Sequence, residues 1–151
     1  MVEVVRDRVP DMSETENKAL VRRLLEALRD GWHPATIEKY FAPSYRRHLS
    51  ATSTPLTREE QRQRATRLRL AFPDAQATLE DIFAEGDRVA YRLTIRGTHT
   101  GEFLGVSPSG RQVAVSFIAL VRIVDGKLVE EWGGLDQPDL IRQMRGSQSA
   151  P

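Results

Sequence analysis

Apolar residues change their spacing once along this chain, near residue 75. Before that point they recur every three or four positions. Leu20, Val21, Leu24, Leu25 and Leu28 form one stripe, with Arg22, Arg23, Glu26 and Arg29 opposite it, which predicts an amphipathic helix. Ser13-Glu14-Thr15-Glu16 precedes the stripe as a capping box, and Gly31 follows as a stop. Pro34 suits the first turn of a second, short helix carrying Ile37, Tyr40 and Phe41 and ending at Ala42-Pro43-Ser44. The stretch Tyr45–Leu56 reads as a loop. Thr57-Arg58-Glu59-Glu60 repeats the capping box and opens a third helix that runs to about Phe72, before Pro73. Arg58, Arg62, Arg64, Arg67 and Arg69 on it predict a solvated face, since acidic residues elsewhere cancel their charge.

From Ala75 the period is two. Thr78, Glu80 and Ile82 alternate with Ala77, Leu79, Asp81 and Phe83; after the turn at Glu85-Gly86-Asp87, Val89, Tyr91, Leu93 and Ile95 alternate with polar neighbours. Gly97–Gln112 holds four glycines and a proline, too many for regular structure. Val113–Val124 is the longest strand candidate, Asp125-Gly126 signals a hairpin, and Leu128–Gly134 returns antiparallel. A last helix covers about Pro138–Met144. Helices followed by strands predict an α+β fold, with helices gathered on one side of a curved antiparallel sheet. Residues 13–146 read as one domain, between a loose arm (1–12) and a frayed tail (147–151).

The long strand has two apolar faces. Val113, Val115, Phe117, Ala119 and Val121 face a core or cavity; Ala114, Ile118 and Leu120 face the other way and predict a homodimer interface. Hairpin register decides what joins them. A two-residue loop sets Trp132 opposite Ala119. A three-residue loop with a bulge at Asp125-Gly126-Lys127 sets Arg122 opposite Glu130 and Ala119 opposite Gly133. The second pairs opposite charges and is preferred. It turns Glu131 inward beside Val121 and leaves Trp132 with Leu120 on the outer face; a one-residue slip would exchange these assignments.

Composition narrows the chemistry. A chain of 151 residues, 40% hydrophobic, can bury a core without a metal or a disulfide, and the absence of cysteine removes thiol chemistry. With 22 basic and 21 acidic residues the formal charge is +1, which gives no support to nucleic-acid binding. No apolar run is long enough to span a bilayer and the first residues do not form a signal peptide, so a soluble, cytoplasmic protein without membrane contact is expected. His33, His48 and His99 lack metal-ligand spacing, so no metal is expected.

Certain stretches resemble a known family: Gly97-Thr98-His99-Thr100-Gly101-Glu102-Phe103-Leu104-Gly105 followed by Pro108-Ser109-Gly110-Arg111; Arg122 through Trp132; Asp136 with Leu140 and Gln143; and Tyr45-Arg46-Arg47-His48, like a Tyr-x-x-His turn. Over about Asn17–Gly146 the chain resembles the SnoaL-like polyketide cyclases and the wider ester-cyclase group. The resemblance implies the cone-shaped α+β barrel shared with ketosteroid isomerases and nuclear transport factor two. It also implies intramolecular aldol ring closure without metal or organic cofactor, begun by an inward Asp on the last strand. A gapless alignment puts that Asp at Gly133, and a Gln and a His of the preceding strand at Phe117 and Ala119, so the usual acid/base set is replaced here.

General acid/base chemistry then falls to Glu131, or to Asp136, whose setting in Asp136-Gln137-Pro138-Asp139 also suits a helix cap. His48 is the candidate proton shuttle or a loop brace, and His99 braces or lines the Gly-rich loop. Tyr45, Phe72, Tyr91, Phe103 and Phe117, with His99 and Gly133, are candidate walls for a small hydrophobic, flat ligand. Three readings stay open: a cofactor-independent cyclase or isomerase, a non-catalytic binding protein of the same fold, and an epoxide hydrolase, which would need a second carboxylate.

Overall fold

The computed structural model describes residues 1–3, 13–50 and 53–146; the expected arm from residue 4 to 12 and the tail from 147 lie outside them. In chain order the elements are α1 (Glu14–Ala27), a 3-10 turn (Leu28–Asp30), α2 (Pro34–Tyr40), β1 (Phe41–His48), β2 (Leu56–Thr57), α3 (Arg58–Ala71), β3 (Gln76–Glu85), β4 (Arg88–Thr98), β5 (Gln112–Val124), β6 (Lys127–Leu135) and α4 (Gln137–Arg145). Both capping boxes form: the Ser13 hydroxyl accepts from the Glu16 amide at 3.1 Å and the Thr57 hydroxyl from that of Glu60 at 3.2 Å, with both glutamates reaching back. No helix among the described residues is long and apolar enough to cross a membrane.

The strands form one six-stranded sheet in the order β2-β1-β6-β5-β4-β3. The helices and the curved sheet make the expected α+β cone, with one correction. Tyr45–Leu56 is not a loop throughout: Phe41–His48 is a strand that pairs parallel with β6, so the sheet is mixed. Its inward positions include Phe41, Tyr45 and Arg47, all buried. A charged residue at an inward position breaks the apolar alternation by which a strand is read, and only the facing strand supplies what neutralises it.

The β5–β6 hairpin has the expected register for a different reason. Arg122 pairs with Glu130, Val121 with Glu131, Leu120 with Trp132 and Ala119 with Gly133. The turn, however, is two residues long: Val124 faces Lys127 across Asp125 (φ 50°) and Gly126 (φ 73°), both left-handed as a type I′ turn requires. The register shifts between Arg122 and Ile123, where Val129 is the extra residue.

Two apolar clusters hold the layers together. Leu20, Val21 and Leu24 of α1 pack with Ile37, Phe41 and Tyr45 against Val89, Tyr91, Val121 and Leu128. At the other end Leu140 and Met144 of α4 pack with Phe72, Phe103, Val113 and Val115. Each large apolar side chain so buried contributes about 1.5–3 kcal/mol. Gln143 clamps α4 to β5 through both backbone groups of Ala114, at 2.9 and 2.8 Å. The Gly-rich stretch docks on the end of α3: Thr100 and Gly101 both donate to the Ala71 carbonyl. A side chain at Gly101 would lie 2.8 Å from the Leu70 carbonyl oxygen.

On the outer sheet face Ile118 is 57% exposed, while Leu120 and Trp132 are half-buried. The Trp132 ring stacks with the His48 ring at 5.1 Å and carries the Arg88 guanidinium over it at 5.5 Å.

Candidate active site

Between the inner sheet face, α1 and α3 lies a cavity of about 940 Å³, within the roughly 300–1,000 Å³ typical of small-molecule sites. Most of its deep wall is apolar: Leu24, Leu68, Leu79, Leu93, Phe103 and Phe117. Exposed Glu26, Asp30 and Asp74 stand at its mouth.

The parallel register of β1 and β6 places Arg47 beside Glu131. Their side chains, only 3% and 4% exposed, form an ion pair of 2.9 Å. The Tyr45 hydroxyl donates to the other Glu131 carboxylate oxygen at 2.8 Å. Arg47 also donates to the Gly133 carbonyl at 2.9 Å, and its guanidinium lies over the Phe117 ring. Tyr91 stacks on Phe117 from the neighbouring strand, with centroids 6.1 Å apart. Among the described residues Glu131 is the one buried carboxylate.

Electrostatics follow from this geometry. Burial, then the Glu131 charge, pushes the Tyr45 and Tyr91 hydroxyls well above the ordinary phenol value, so both stay protonated at neutral pH. Burial opposes the Arg47 charge, but the Glu131 carboxylate together with the Tyr45 and Tyr91 hydroxyls raises its pKa overall. Arg47 and Glu131 are therefore a charged pair that desolvation alone would destabilise.

The expected site residues separate into two groups. Glu131, Tyr91, Phe103 and Phe117 line the cavity, and Tyr45 stands behind Glu131 as its hydrogen-bond donor. The others do not contribute as expected. His48 points to the outer sheet face, where its Nε2 lies 3.0 Å from the Glu130 carboxylate; alternation along β1 puts it on the side opposite Arg47, which removes it as a shuttle for the cavity. Asp136 is exposed and caps α4, accepting from the Asp139 amide at 3.1 Å, so it is a cap rather than a base. His99 is fully buried, 2.9 Å from the Ser109 hydroxyl and stacked on Phe72; both belong to the packing under the Gly-rich loop and not to the cavity wall. Gly133 offers no wall either. Its φ is +97° and a Cβ there would lie 2.2 Å from the Ile118 carbonyl oxygen, so the position admits only glycine in this backbone.

Three cavity residues escape a reading by periodicity: Arg47, Gln61 and Arg64. On α3, Gln61, Arg64, Ala65 and Leu68 share one helical face and that face looks into the cavity. Arg64 is thus a correction to the solvated face expected for the α3 arginines. Among the described residues no group of three or more His, Asp or Glu side chains is placed to hold a metal ion.

The model of the family described as SnoaL-like polyketide cyclase matches residues 19–144. The chain belongs to that family. This SnoaL-like chain is 33% identical over 132 residues to the aklanonic acid methyl ester cyclase DnrD of Streptomyces peucetius, a match spanning 83% of this chain and 86% of the relative. It is 30% identical to the corresponding cyclase AcmA of Streptomyces galilaeus, over 86% of this chain and 91% of that one. Among solved structures, AclR, a candidate hydroxylase from Streptomyces galilaeus, superposes with a TM-score of 0.80 at 32% identity, covering 92% of this chain and 87% of its own. IdmH, a candidate polyketide cyclase from Streptomyces antibioticus, gives 0.76 at 33% identity, covering 86% and 99%. A single SnoaL-like fold thus carries more than one named chemistry, and the site has to distinguish between them.

Proposed function

We propose that this SnoaL-like protein closes or isomerises a ring in a small hydrophobic, polyketide-like substrate by general acid/base chemistry without an organic cofactor, with Glu131 as the base. The observation that carries this reading is the one buried carboxylate among the described residues, at the floor of a largely apolar cavity and flanked by two protonated phenols. The relatives named as aklanonic acid methyl ester cyclases support ring closure over other outcomes.

The step balances within the site. The Glu131 carboxylate takes a proton from a carbon flanked by carbonyl groups, and the electron pair moves onto a carbonyl oxygen as an enolate. That enolate carbon attacks a second carbonyl of the same molecule, forming a carbon–carbon bond. The alkoxide then recovers the proton from Glu131. Tyr91, protonated at neutral pH, donates to the enolate oxygen, and the Arg47 charge beside it favours negative charge at the floor.

Glu131→Gln tests the assignment, because it keeps the shape and removes the base. Turnover of a polyketide-type substrate with an enolisable carbon should fall about 10²–10⁴-fold while the circular dichroism spectrum is kept. Undiminished turnover would overturn it.

One observation favours a second reading, a non-catalytic binding protein. Both Glu131 oxygens already have partners in Arg47 and Tyr45, so the pair could serve as a neutralised piece of the cavity floor. Wild-type protein that binds such substrates without converting them would establish that reading. Epoxide hydrolysis finds no second buried carboxylate among the described residues.

A further inference from the structure

The polar groups of the cavity do not all belong to the Glu131 cluster. Arg47 is neutralised by Glu131 at 2.9 Å. Arg64, two turns from the start of α3, faces the same space half-buried and has no hydrogen bond or ion pair among the described residues. Burial first, then the charges of Arg47 and Arg67, pulls its pKa below the ordinary guanidinium value, and the more distant Glu131 charge offsets this only in part. One turn earlier on the same face stands Gln61, 5% exposed, with its Oε1 buried and without a hydrogen-bond partner among the described residues. A buried amide oxygen left unpaired is costly unless something donates to it. Residues three apart on a helix are neighbours, with Cβ atoms about 5–6 Å apart. The two groups can therefore engage adjacent substituents of one ligand.

We propose that Gln61 and Arg64 form the recognition site for an acidic hydroxy-aromatic ligand, the Arg64 guanidinium holding an anionic oxygen and Gln61 Oε1 accepting from the adjacent hydroxyl. The apolar wall around them, Ala65, Leu68 and Phe103, takes the ring. This deepens the proposed function by naming the class of substrate, and it rests on that reading only in sharing its cavity. The free acid is favoured over its ester because esterification removes the charge that Arg64 would otherwise meet unpaired.

The test is a fluorescence titration with an ortho-hydroxynaphthoic acid, its methyl ester and the acid lacking the hydroxyl, at pH 7. Wild-type protein should bind the hydroxy acid about tenfold or more tighter than the ester, the size of one charge-assisted contact. Arg64→Gln should erase that preference by weakening the acid and leaving the ester unchanged; Arg64→Lys should restore part of it. Gln61→Leu should keep the acid preference and lose the advantage of the hydroxyl. Equal binding of acid and ester by the wild type, an acid preference that survives Arg64→Gln, or no binding of either probe up to its solubility limit would overturn the proposal. Arg64 makes no hydrogen bond or ion pair among the described residues, so thermal melting of its variants should match wild type and folding will not cloud the result. Catalysis is read separately: Glu131→Gln is scored by its fall of about 10²–10⁴-fold in turnover and Arg64→Gln by the lost acid preference in a protein that keeps the Arg47–Glu131 pair, so the two proposals can fail independently.

Discussion

Arg47 and Glu131 lie in register across the parallel pairing of β1 and β6, 2.9 Å apart and almost wholly shut from solvent. Neither charge could be kept there alone. Taking a lone carboxylate or guanidinium out of water costs several kcal/mol, and the partner together with the Tyr45 hydroxyl and the Gly133 carbonyl offsets it. The pair ties β6 to β1, the strand that follows α2, and it sets one fixed charge pattern at the floor of the cavity.

Breaking this pair should be more damaging than deleting it. Arg47→Leu leaves Glu131 buried without its cation and should destabilise the fold by about 3–5 kcal/mol. The double variant Arg47→Leu with Glu131→Leu should lose clearly less than the sum of the two single changes. Urea denaturation of the four proteins measures the coupling; additive losses would mean that the two groups do not act as a pair.

On the outer face, Glu130 accepts from Arg122 at 2.7 Å and from His48 at 3.0 Å. Burial would raise its pKa, but these hydrogen bonds and charges prevail and hold it below the ordinary carboxylate value. A folded pKa below the unfolded one gives stability that is present above the unfolded value and is lost as pH falls through the folded one. Glu130→Gln should therefore melt below wild type at neutral pH, and the gap should close in acid, below about pH 4. A gap that persists unchanged to low pH would rule out this linkage.

Placing an acid at position 133 should not rebuild a cyclase site. Gly133→Asp forces a Cβ to 2.2 Å from the Ile118 carbonyl oxygen at a φ of +97°. It should cost about 2 kcal/mol or more through backbone strain and displacement of β5. A Gly133→Asp protein that melts at the wild-type temperature and turns over faster would contradict this geometry.

His48 and Asp136 should separate from the chemistry. His48→Ala removes a stacking partner of Trp132 on the outer face and should leave kcat within about threefold of wild type. Asp136→Ala removes the α4 cap and should lower stability by about 1 kcal/mol with the same small effect on kcat. Steady-state kinetics with melting curves checks both, and a hundredfold fall in kcat for either would return it to the candidate list.

Much of the fold is legible in the sequence because its signals are local. Both capping boxes, the switch from a helical to a strand period near residue 75 and the Asp125-Gly126 turn are each contained within a few residues. Glu131 also reads as inward, because opposite charges at Arg122 and Glu130 select the register, even though the extra residue lies at Val129 and not in the turn. Tyr45–His48 is not legible in the same way. An inward arginine looks like a loop or surface residue until its carboxylate, 84 positions away, is brought beside it.

By itself, then, the sequence determined the α+β order of elements, the register of the long hairpin and the inward direction of Glu131, since propensity, capping and cross-strand charge act between near neighbours. The tertiary structure alone decided that Arg47 neutralises Glu131, that Arg64 looks into the cavity and that His48 looks away from it. Each of those depends on which face of one element is set against another, and a face is chosen by the burial energy of the whole core rather than by the residues beside it in the chain.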